Sequence, residues 1–323
     1  MFCSVVIPTV GRDSLSRAVL SVLDQTFSED DFEVIVVNDS ARPLPLAEWQ
    51  KSPRVRLIHT NRRERSFARN TGAAIATGQY LCFLDDDDWL LPGALEQFRV
   101  LASRDSEAAW LYGGIQVVNE AGECLAEVNS RLTGNCLAQI IGGAWAPIQS
   151  SLVKAASFYE VGGYDPAITG TEDLDLCSRI ALRGTFANTE APVACLLRGE
   201  SWHTSTNYLR AADDIRYSRD RVLDERGVFG RMLKSADTSY WYGRVLRVYL
   251  SVVLSNLRQR RLFTALSRAV FAVAWTAVSG MRVLSSDFWQ GVRAHHAPET
   301  LHFVMERLER EARPPAAGSG DAS

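Results

Sequence analysis

The chain has 323 residues, of which 46% are hydrophobic and 23% are charged, and its formal net charge is −3. This composition is typical of a folded protein with a large core, and the length predicts about two domains. The weakly negative charge argues against general attraction to nucleic acid, so we expect no nucleic-acid partner. Six scattered cysteines without a C-x-x-C pair, and an N-terminus without a signal-peptide pattern, predict a reducing, cytoplasmic setting.

The first hundred residues alternate between strand and helix patterns. Short β-branched apolar runs predict buried strands, whereas apolar residues at helical spacing predict helices. The predicted strands are 2–9, 32–38, 55–59 and 80–84, and the predicted helices are 15–23, 66–77 and 92–101. This alternation indicates an α/β fold with a mostly parallel central sheet and flanking helices. In such sheets ligands bind beyond the carboxyl ends of the strands.

From about residue 110 the pattern changes. The later predictions are a hairpin of strands 110–119 and 124–128, a helix over 132–141, strands over 149–153 and 186–197, and a helix over 172–183. Three helices follow, over 208–226, 240–257 and 262–284. We expect residues 1–207 to form the main domain, residues 208–312 a helical extension that contacts the acceptor, a second copy or a membrane, and residues 313–323 a disordered tail.

The last of these helices, over 262–284, is strongly apolar. Its uncharged part, 269–281, has 13 residues, fewer than the roughly 20 that are needed to cross a bilayer. We therefore favour a helix buried in the protein over a helix that lies in a membrane interface.

Four consecutive aspartates, Asp85–Asp88, follow the fourth predicted strand. Neighbouring carboxylates repel one another, so such a cluster at the mouth of a buried strand needs compensation. A divalent cation provides it, because hard cations such as Mg²⁺ take carboxylate ligands and bridge to substrate phosphates. The alternative is a solvated acidic run that caps the next helix. Even in a cation site, Asp88 is expected to do no more than begin that helix.

Polar residues also follow the other strands. Asp39 ends the second strand, where a carboxylate can form a turn or can accept the imide N–H of uracil or thymine. Thr9 ends the first strand and offers a second polar contact. Arg69, in the helix before the aspartates, is either a surface arginine or a planar donor that holds a nucleotide.

Two further candidates come later in the chain. Glu172 and Asp173 begin a predicted helix, where acids complement the helix dipole, but one of them would also serve as a general base. His203 is either structural, exposed or a ligand of the metal or diphosphate. Their distance from the aspartate cluster decides between these interpretations.

Taken together, these segments resemble the family-2 glycosyltransferases of the GT-A fold. The matching stretches are SVVIPTVGR, SVLDQTF, FEVIVVNDS, FARNTGAAIATGQYLCFLDDDDWLLP, VGGYD and TEDLDLCSRIALRG, in the expected order between residues 2 and 184. The resemblance implies inverting transfer of a sugar from a UDP- or dTDP-sugar, with a GDP-sugar less favoured. The acceptor would be a hydroxyl of a glycan, a lipid-linked molecule or a small molecule.

The resemblance also implies a role for each candidate. The nucleotide would contact Thr9, Asp39, Arg69, Asp85 and Asp86, the metal (Mg²⁺ or Mn²⁺) would bind Asp87 and His203, and the catalytic base would be Asp173. Asp85 and Asp87 would form the D-x-D pair, with Asp85 near the ribose. The strand end at Asn38 departs from the family pattern, which often has two acids followed by Gly-Ser. Recognition of the nucleotide base is therefore assigned to Asp39.

Two other classes of function stay open. A nucleotidyltransferase can share this frame and metal, but it would be expected to carry a basic, glycine-rich phosphate loop at the first strand, where the chain reads PTVGR. A non-catalytic protein that binds sugar nucleotides is the second, although Asp85, Asp87 and Asp173 argue against it. The C-terminal helices would contact the inner face of the membrane or form a homodimer.

Overall fold

The computed structural model describes residues 1–28, 31–198 and 208–298, together with Thr300 and Val304. The predicted tail, 313–323, lies outside the described residues. The strands are β1 Cys3–Thr9, β2 Phe32–Asn38, β3 Val55–His59, β4 Tyr80–Phe83, β5 Trp89–Leu90, β6 Trp110–Asn119, β7 Cys124–Val128, β8 Ser151–Lys154 and β9 Phe186–Arg198.

The helices alternate with the strands at first and then continue without them. They are α1 Leu15–Leu23, α2 Arg65–Ala74, α3 Ala94–Arg104, α4 Leu137–Ile141, α5 Ala155–Glu160, α6 Glu172–Ala181, α7 Tyr208–Asp224, α8 Val228–Ser235, α9 Ser239–Arg258, α10 Leu262–Ser279 and α11 Ser286–Arg293. Short 3₁₀ turns cover Glu48–Lys51, Ile148–Ser150 and Gly280–Leu284.

One sheet of nine strands forms the centre of the molecule, in the order β3-β2-β1-β4-β8-β6-β9-β5, with β7 paired to β6. The strands β3, β2, β1 and β4 are parallel to one another. Strands β1, β2 and β4 are buried along their whole length, as expected of strands covered by helices on both faces. The predicted α/β fold is therefore confirmed.

The second half of the sheet is mixed. Strand β8 is antiparallel to both β4 and β6, β9 is parallel to β6, and β5 is antiparallel to β9. The sheet is therefore parallel in its first four strands and mixed in the rest. The pairing of β5 with β9 holds the acidic run between two strands of the same sheet.

Two predicted helices begin later than expected, and each has a local reason. The helix expected from residue 132 starts at Leu137, because Gly134 adopts a left-handed φ of 65° and exchanges backbone hydrogen bonds with Phe186. The helix expected from Pro92 starts at Ala94, after Gly93 with a φ of 78°. Glycine adopts this backbone region without the steric cost that other residues meet.

The C-terminal helices share an apolar core with the sheet. Trp110 and Phe186 of the sheet belong to the same buried cluster as Tyr249 of α9 and Trp275 of α10. A buried Arg268 on α10 pairs with Asp220 at 2.7 Å and with Asp224 at 2.9 Å, and both acids lie on α7. The division of the chain near residue 207 stays a prediction.

Helix α10 is not the buried helix that its sequence suggested. Its buried residues lie on one stripe, while large apolar side chains on the opposite face are exposed to solvent. The segment Leu262–Leu284 is long and apolar enough to cross a membrane, by length and composition alone. The expectation failed because a helix that is apolar on every face does not reveal which face its neighbours cover.

Candidate active site

The carboxyl ends of β1, β2 and β4 border one polar cavity of about 600 Å³. Its size is within the range of small-molecule and cofactor sites. The polar residues that line it are Thr9, Arg12, Asp39, Arg63, Glu64, Arg65, Asp85, Asp86, Asp87, Asp88, Glu120 and Gln149. Parallel strands end at the same edge of a sheet, which is why residues distant in sequence meet here.

The four aspartates form a tight turn between β4 and β5. The backbone N–H of Asp88 donates to the carbonyl of Asp85 at 3.1 Å, which closes the turn. The turn brings together carboxylate oxygens of Asp85, Asp87 and Asp88, all within 4.8 Å of one another. This is an oxygen-rich set of the kind that hard divalent cations prefer.

Asp88 has more to do than begin the next helix. Its side chain is buried and belongs to the carboxylate cluster, and one of its oxygens accepts the backbone N–H of Leu197 on β9 at 3.2 Å. Burial, followed by the charges of Asp85 and Asp87, raises the pKa of Asp88 well above its ordinary value. The neighbouring acids thus add to the effect of burial, and a cation bound among them would oppose both contributions to the raised pKa.

Asp86 points away from this cluster, toward the end of β1. It accepts the hydroxyl of Thr9 at 2.6 Å and the guanidinium of Arg12 at 2.8 Å. Arg12 also pairs with Asp87 at 2.6 Å, and about half of its side chain is exposed. Sequence reasoning missed Arg12, although the need to balance four acids is a signal that a cation from the β1 loop should lie nearby.

Arg69 does not line the cavity, contrary to its expected role as a nucleotide contact. Its side chain is fully buried behind the acidic turn and binds three carboxylates. One guanidinium nitrogen, Nη2, donates to Asp85 at 2.7 Å, and the other, Nη1, donates to Glu172 and Asp173 at 3.0 Å each. Arg69 therefore connects the acidic turn to the start of helix α6.

The structure distinguishes the two acids of the Glu-Asp pair. Glu172 is buried, pairs with Arg69 and accepts the backbone N–H of Gly170 at 2.8 Å. Asp173 shares Arg69 with Asp85, but 26% of its side chain is exposed. Burial, and secondarily the charges of Glu172 and Asp85, raise the pKa of Asp173 to about 7 against the opposing effect of Arg69. A carboxylate of this kind is suited to accept a proton near neutral pH.

Asp39 is buried at the end of β2 and organises the loop that follows β3. Its two oxygens accept the hydroxyl of Thr60 and the backbone N–H groups of Arg62 and Glu64, at 2.7–2.8 Å. Burial raises its pKa, but these hydrogen bonds outweigh burial and leave the pKa lowered. Asp39 is therefore ionised at neutral pH and fixes one side of the cavity.

One predicted residue cannot be placed, and Gln149 is a further cavity residue that was not predicted. His203 lies outside the described residues. Gln149 lines the cavity and donates weakly to Asp85 at 3.4 Å, while its buried Oε1 has no partner among the residues that the structure describes. No motif marks Gln149 in the sequence; only the pairing of β4 with β8 brings it here.

Comparison with known proteins identifies the class of this arrangement. The sequence profile of glycosyl transferase family 2 matches residues 4–121. The AmsB glycosyltransferase of amylovoran biosynthesis from Erwinia amylovora is 30% identical over 233 residues, covering 67% of this chain and 74% of that protein. An uncharacterized glycosyltransferase of Haemophilus influenzae is 25% identical over 232 residues, covering 68% and 76%. The chain spans 31% of the length of some other curated relatives.

The fold is also that of known glycosyltransferases. A crystal structure of S. aureus TarS 1-349 in complex with UDP-GlcNAc superimposes with a TM-score of 0.59 at 16% identity, covering 86% of this chain and 92% of that chain. The superposition includes more residues than the sheet region contains, so the shared architecture extends into the C-terminal helices. Fold and sequence together define a glycosyltransferase with a GT-A-type fold. The chain belongs to glycosyl transferase family 2.

Proposed function

We propose that this glycosyltransferase moves a sugar from a nucleotide-diphosphate donor to an acceptor hydroxyl, with inversion and with the help of Mg²⁺ or Mn²⁺. The observation that carries the proposal is the junction at Arg69. One buried guanidinium joins the acidic turn at Asp85 to the carboxylate of Asp173. The two functions that the reaction needs, diphosphate binding and proton removal, therefore lie side by side.

The donor is a UDP- or dTDP-sugar in this proposal. The TarS structures contain UDP-GlcNAc in one case and UDP in another. In the present chain Asp39 lines the strand-end cavity, and each carboxylate oxygen can accept two hydrogen bonds. Its Oδ1 already accepts the Thr60 hydroxyl and the Arg62 N–H, whereas Oδ2 accepts the Glu64 N–H, so Oδ2 is the oxygen proposed to accept the imide N–H of uracil or thymine. Arg12, Arg63 and Arg65 line the same cavity and supply positive charge for a diphosphate.

The residues present fit a divalent cation. Asp85, Asp87 and Asp88 bring carboxylate oxygens within 4.8 Å of one another, and the raised pKa of Asp88 marks negative charge without full compensation. We assign the cation to Asp87 with Asp85 and Asp88. When bound, the cation would neutralise charge on the diphosphate leaving group.

Asp173 is the catalytic base of the proposed reaction. It removes the proton from the acceptor hydroxyl as the hydroxyl oxygen bonds to the anomeric carbon. The bond between that carbon and the phosphate oxygen breaks, and its electron pair leaves with the nucleoside diphosphate. A single displacement inverts the anomeric configuration and needs no covalent nucleophile. With a pKa of about 7, Asp173 can both accept this proton and release it to solvent.

Arg69 positions the base without touching the donor. Its guanidinium is fully buried, so its three carboxylate partners are fixed relative to one another. Glu172 takes one of these bonds and is itself held by the backbone of Gly170. This arrangement fixes the position of the start of α6 relative to the acidic turn. Catalytic groups need such support from surrounding side chains.

A panel of nucleotide sugars tests the proposal. Binding and slow hydrolysis of UDP-, dTDP- and GDP-sugars would be measured with Mn²⁺ and with EDTA, because hydrolysis reports donor activation when the acceptor is unknown. We expect Mn²⁺-dependent binding of a UDP- or dTDP-sugar and release of the nucleoside diphosphate.

Asp24→Asn is the control for the same substitution at a site aspartate, such as Asp87→Asn. Asp24 is an exposed aspartate after α1 and does not line the cavity. This variant should bind and hydrolyse the donor as the wild type does. If no nucleotide sugar binds, the proposal is wrong. Release of pyrophosphate from a nucleoside triphosphate and a sugar phosphate would instead identify a nucleotidyltransferase.

A further inference from the structure

The exposed face of α10 is an unbroken apolar stripe. Residues 263, 266, 270, 273 and 277 recur at helical spacing, and they are Phe263, Leu266, Val270, Val273 and Ala277, all exposed. Met281, in the turn that follows the helix, is also exposed. Phe263 is 92% exposed. A helix that faces water normally carries charged residues on this side. We call these six residues the α10 stripe.

Helix α9 extends the same surface. Its exposed large side chains are Leu250, Leu254 and Leu257, which also recur at helical spacing. The short turn at Gln259–Arg261 joins α9 to α10, so the exposed end of α9 lies beside the exposed start of α10. Together they form an apolar surface larger than isolated exposed residues, and such surfaces mark interaction sites.

Arginines dominate the charge along α9 and α10. Residues 238–286 contain seven arginines and no acidic residue, although the whole chain has a net charge of −3. The exposed Asp287 comes directly after this stretch. Arg258, Arg260 and Arg261 are exposed at one end of the stripe, and Arg282 is exposed at the other. An apolar stripe bounded by exposed arginines matches the two layers of an anionic membrane surface, acyl chains and headgroups.

The helix is held to the protein by its opposite face. Ala265, Ala272 and Trp275 are buried, and the indole N–H of Trp275 donates to the carbonyl of Tyr242 at 2.9 Å. Arg268, in the middle of α10, is committed to Asp220 and Asp224. Crossing a bilayer would break these ion pairs and place an unpaired charge in hydrocarbon. The folded helix can therefore lie on a membrane but cannot cross it.

We propose that the α10 stripe docks this protein on the surface of an anionic phospholipid bilayer. The apolar side chains enter the boundary between headgroups and acyl chains, and the arginines at both ends contact lipid phosphates. A second copy of the chain is a poorer occupant. Pairing two stripes would bring arginines of both copies together, and residues 238–286 offer no acid to balance them.

Vesicle sedimentation of the full chain tests the proposal. The vesicles are phosphatidylcholine alone, or phosphatidylcholine with phosphatidylglycerol in equal parts. We expect the wild type to sediment with the mixed vesicles and to be released by salt. Phe263→Asp with Val273→Asp should lower the partition coefficient about a hundredfold, because two apolar side chains leave the interface and two negative charges enter it. Arg258→Gln with Arg261→Gln should lower it about thirtyfold.

The control is Leu46→Asp, because Leu46 is 97% exposed and lies far from the stripe in sequence. Like the changes at Phe263 and Val273, it replaces an apolar residue by aspartate. This variant should sediment as the wild type does. Circular dichroism and UDP binding report whether the double variants still fold.

Three results would overturn the proposal. The first is a wild type that stays in the supernatant with mixed vesicles. The second is sedimentation that is equal with both vesicle types and insensitive to the arginines. The third is a dimer in light scattering that Phe263→Asp with Val273→Asp converts to a monomer, which would assign the stripe to a second copy.

Discussion

The sheet region and the C-terminal helices use buried arginines in opposite ways. In the sheet region Arg69 pairs with three carboxylates, of which Asp85 lines the cavity, so one residue connects the acidic turn to the start of α6. In the helices Arg268 pairs with Asp220 and Asp224 of α7, and these pairs fasten α10 to its neighbour. The first arrangement concentrates charge where chemistry is proposed, whereas the second leaves an uncharged face outward.

The contrast between Arg69 and Arg268 divides buried charged residues into two kinds. Residues of the first kind support the proposed reaction, and residues of the second kind hold helices together. Removing a group of the first kind should reduce turnover, and for the buried Arg69 it should reduce stability as well. Removing a group of the second kind should reduce stability but not turnover per folded molecule, and changing the outward face should affect neither. The following experiments test this separation, in order of decreasing effect.

The largest effect is expected from Asp173→Asn. Loss of a general base typically lowers the rate about 10²–10⁴-fold. UDP binding should persist, because Asp173 does not line the cavity. Calorimetry of UDP binding beside a turnover assay separates the two. A variant with normal turnover would remove Asp173 from the mechanism and leave Glu172 as the candidate.

Arg69→Met should cost stability as well as turnover. Removing one partner of a buried charge network leaves unpaired charges, which costs roughly 3–5 kcal/mol. Urea unfolding measures this cost, and Arg69→Lys tests whether the fork of two nitrogens is needed or only the charge. If Arg69→Met folds with wild-type stability, the carboxylates are not held as described.

Arg268→Met is the corresponding change in the helices. The expected cost is smaller, about 1–3 kcal/mol, because Asp224 is 78% exposed and retains its hydration when the arginine is lost. Turnover per folded molecule should remain that of the wild type. A large loss of turnover without loss of stability would contradict the division between the two regions.

The pH dependence of stability distinguishes the base from a simple ion pair. In the cation-free protein the pKa of Asp173 is raised to about 7. The stability that the folded protein gains from this raised pKa is therefore complete below the ordinary pKa of aspartate, about 4, and is lost as the pH rises through about 7. Asp173→Asn should gain stability relative to the wild type between pH 5 and pH 8, in urea unfolding with EDTA. A difference that shrinks over this range would mean that Asp173 is stabilised as a carboxylate.

The smallest effect is expected from Phe263→Ser. The side chain is almost fully exposed, so the free energy of unfolding should change by no more than about 0.5 kcal/mol. Thermal unfolding without lipid measures this change. A large loss of stability would show that Phe263 packs against the folded protein and is not free to contact a membrane.

The sequence predicted the first half of the fold and the place of the site. Short apolar runs marked β1–β4, and the polar residues after them predicted that Thr9, Asp39 and Asp85–Asp88 would meet. This succeeded because parallel strands align their carboxyl ends, so chain position alone fixes the edge on which a residue lies.

The rest depended on distances that no pattern encodes. Arg69 meets Glu172 and Asp173 across about a hundred residues, and helical spacing gives no sign of that contact. Gln149 reaches the cavity through the antiparallel pairing of β8, which the alternation of the early chain did not anticipate. The exposure of α10 was likewise invisible, since its exposed and buried faces are both apolar.

If the acidic turn binds a nucleoside diphosphate through a divalent cation, UDP affinity must depend on the metal and on Asp87. Calorimetry measures this by titrating UDP into the wild type and Asp87→Asn, each with Mn²⁺ and with EDTA. We expect Mn²⁺ to tighten UDP binding to the wild type and Asp87→Asn to abolish this gain. UDP affinity that Mn²⁺ does not change in the wild type, or a gain that survives in Asp87→Asn, would contradict binding through the cation.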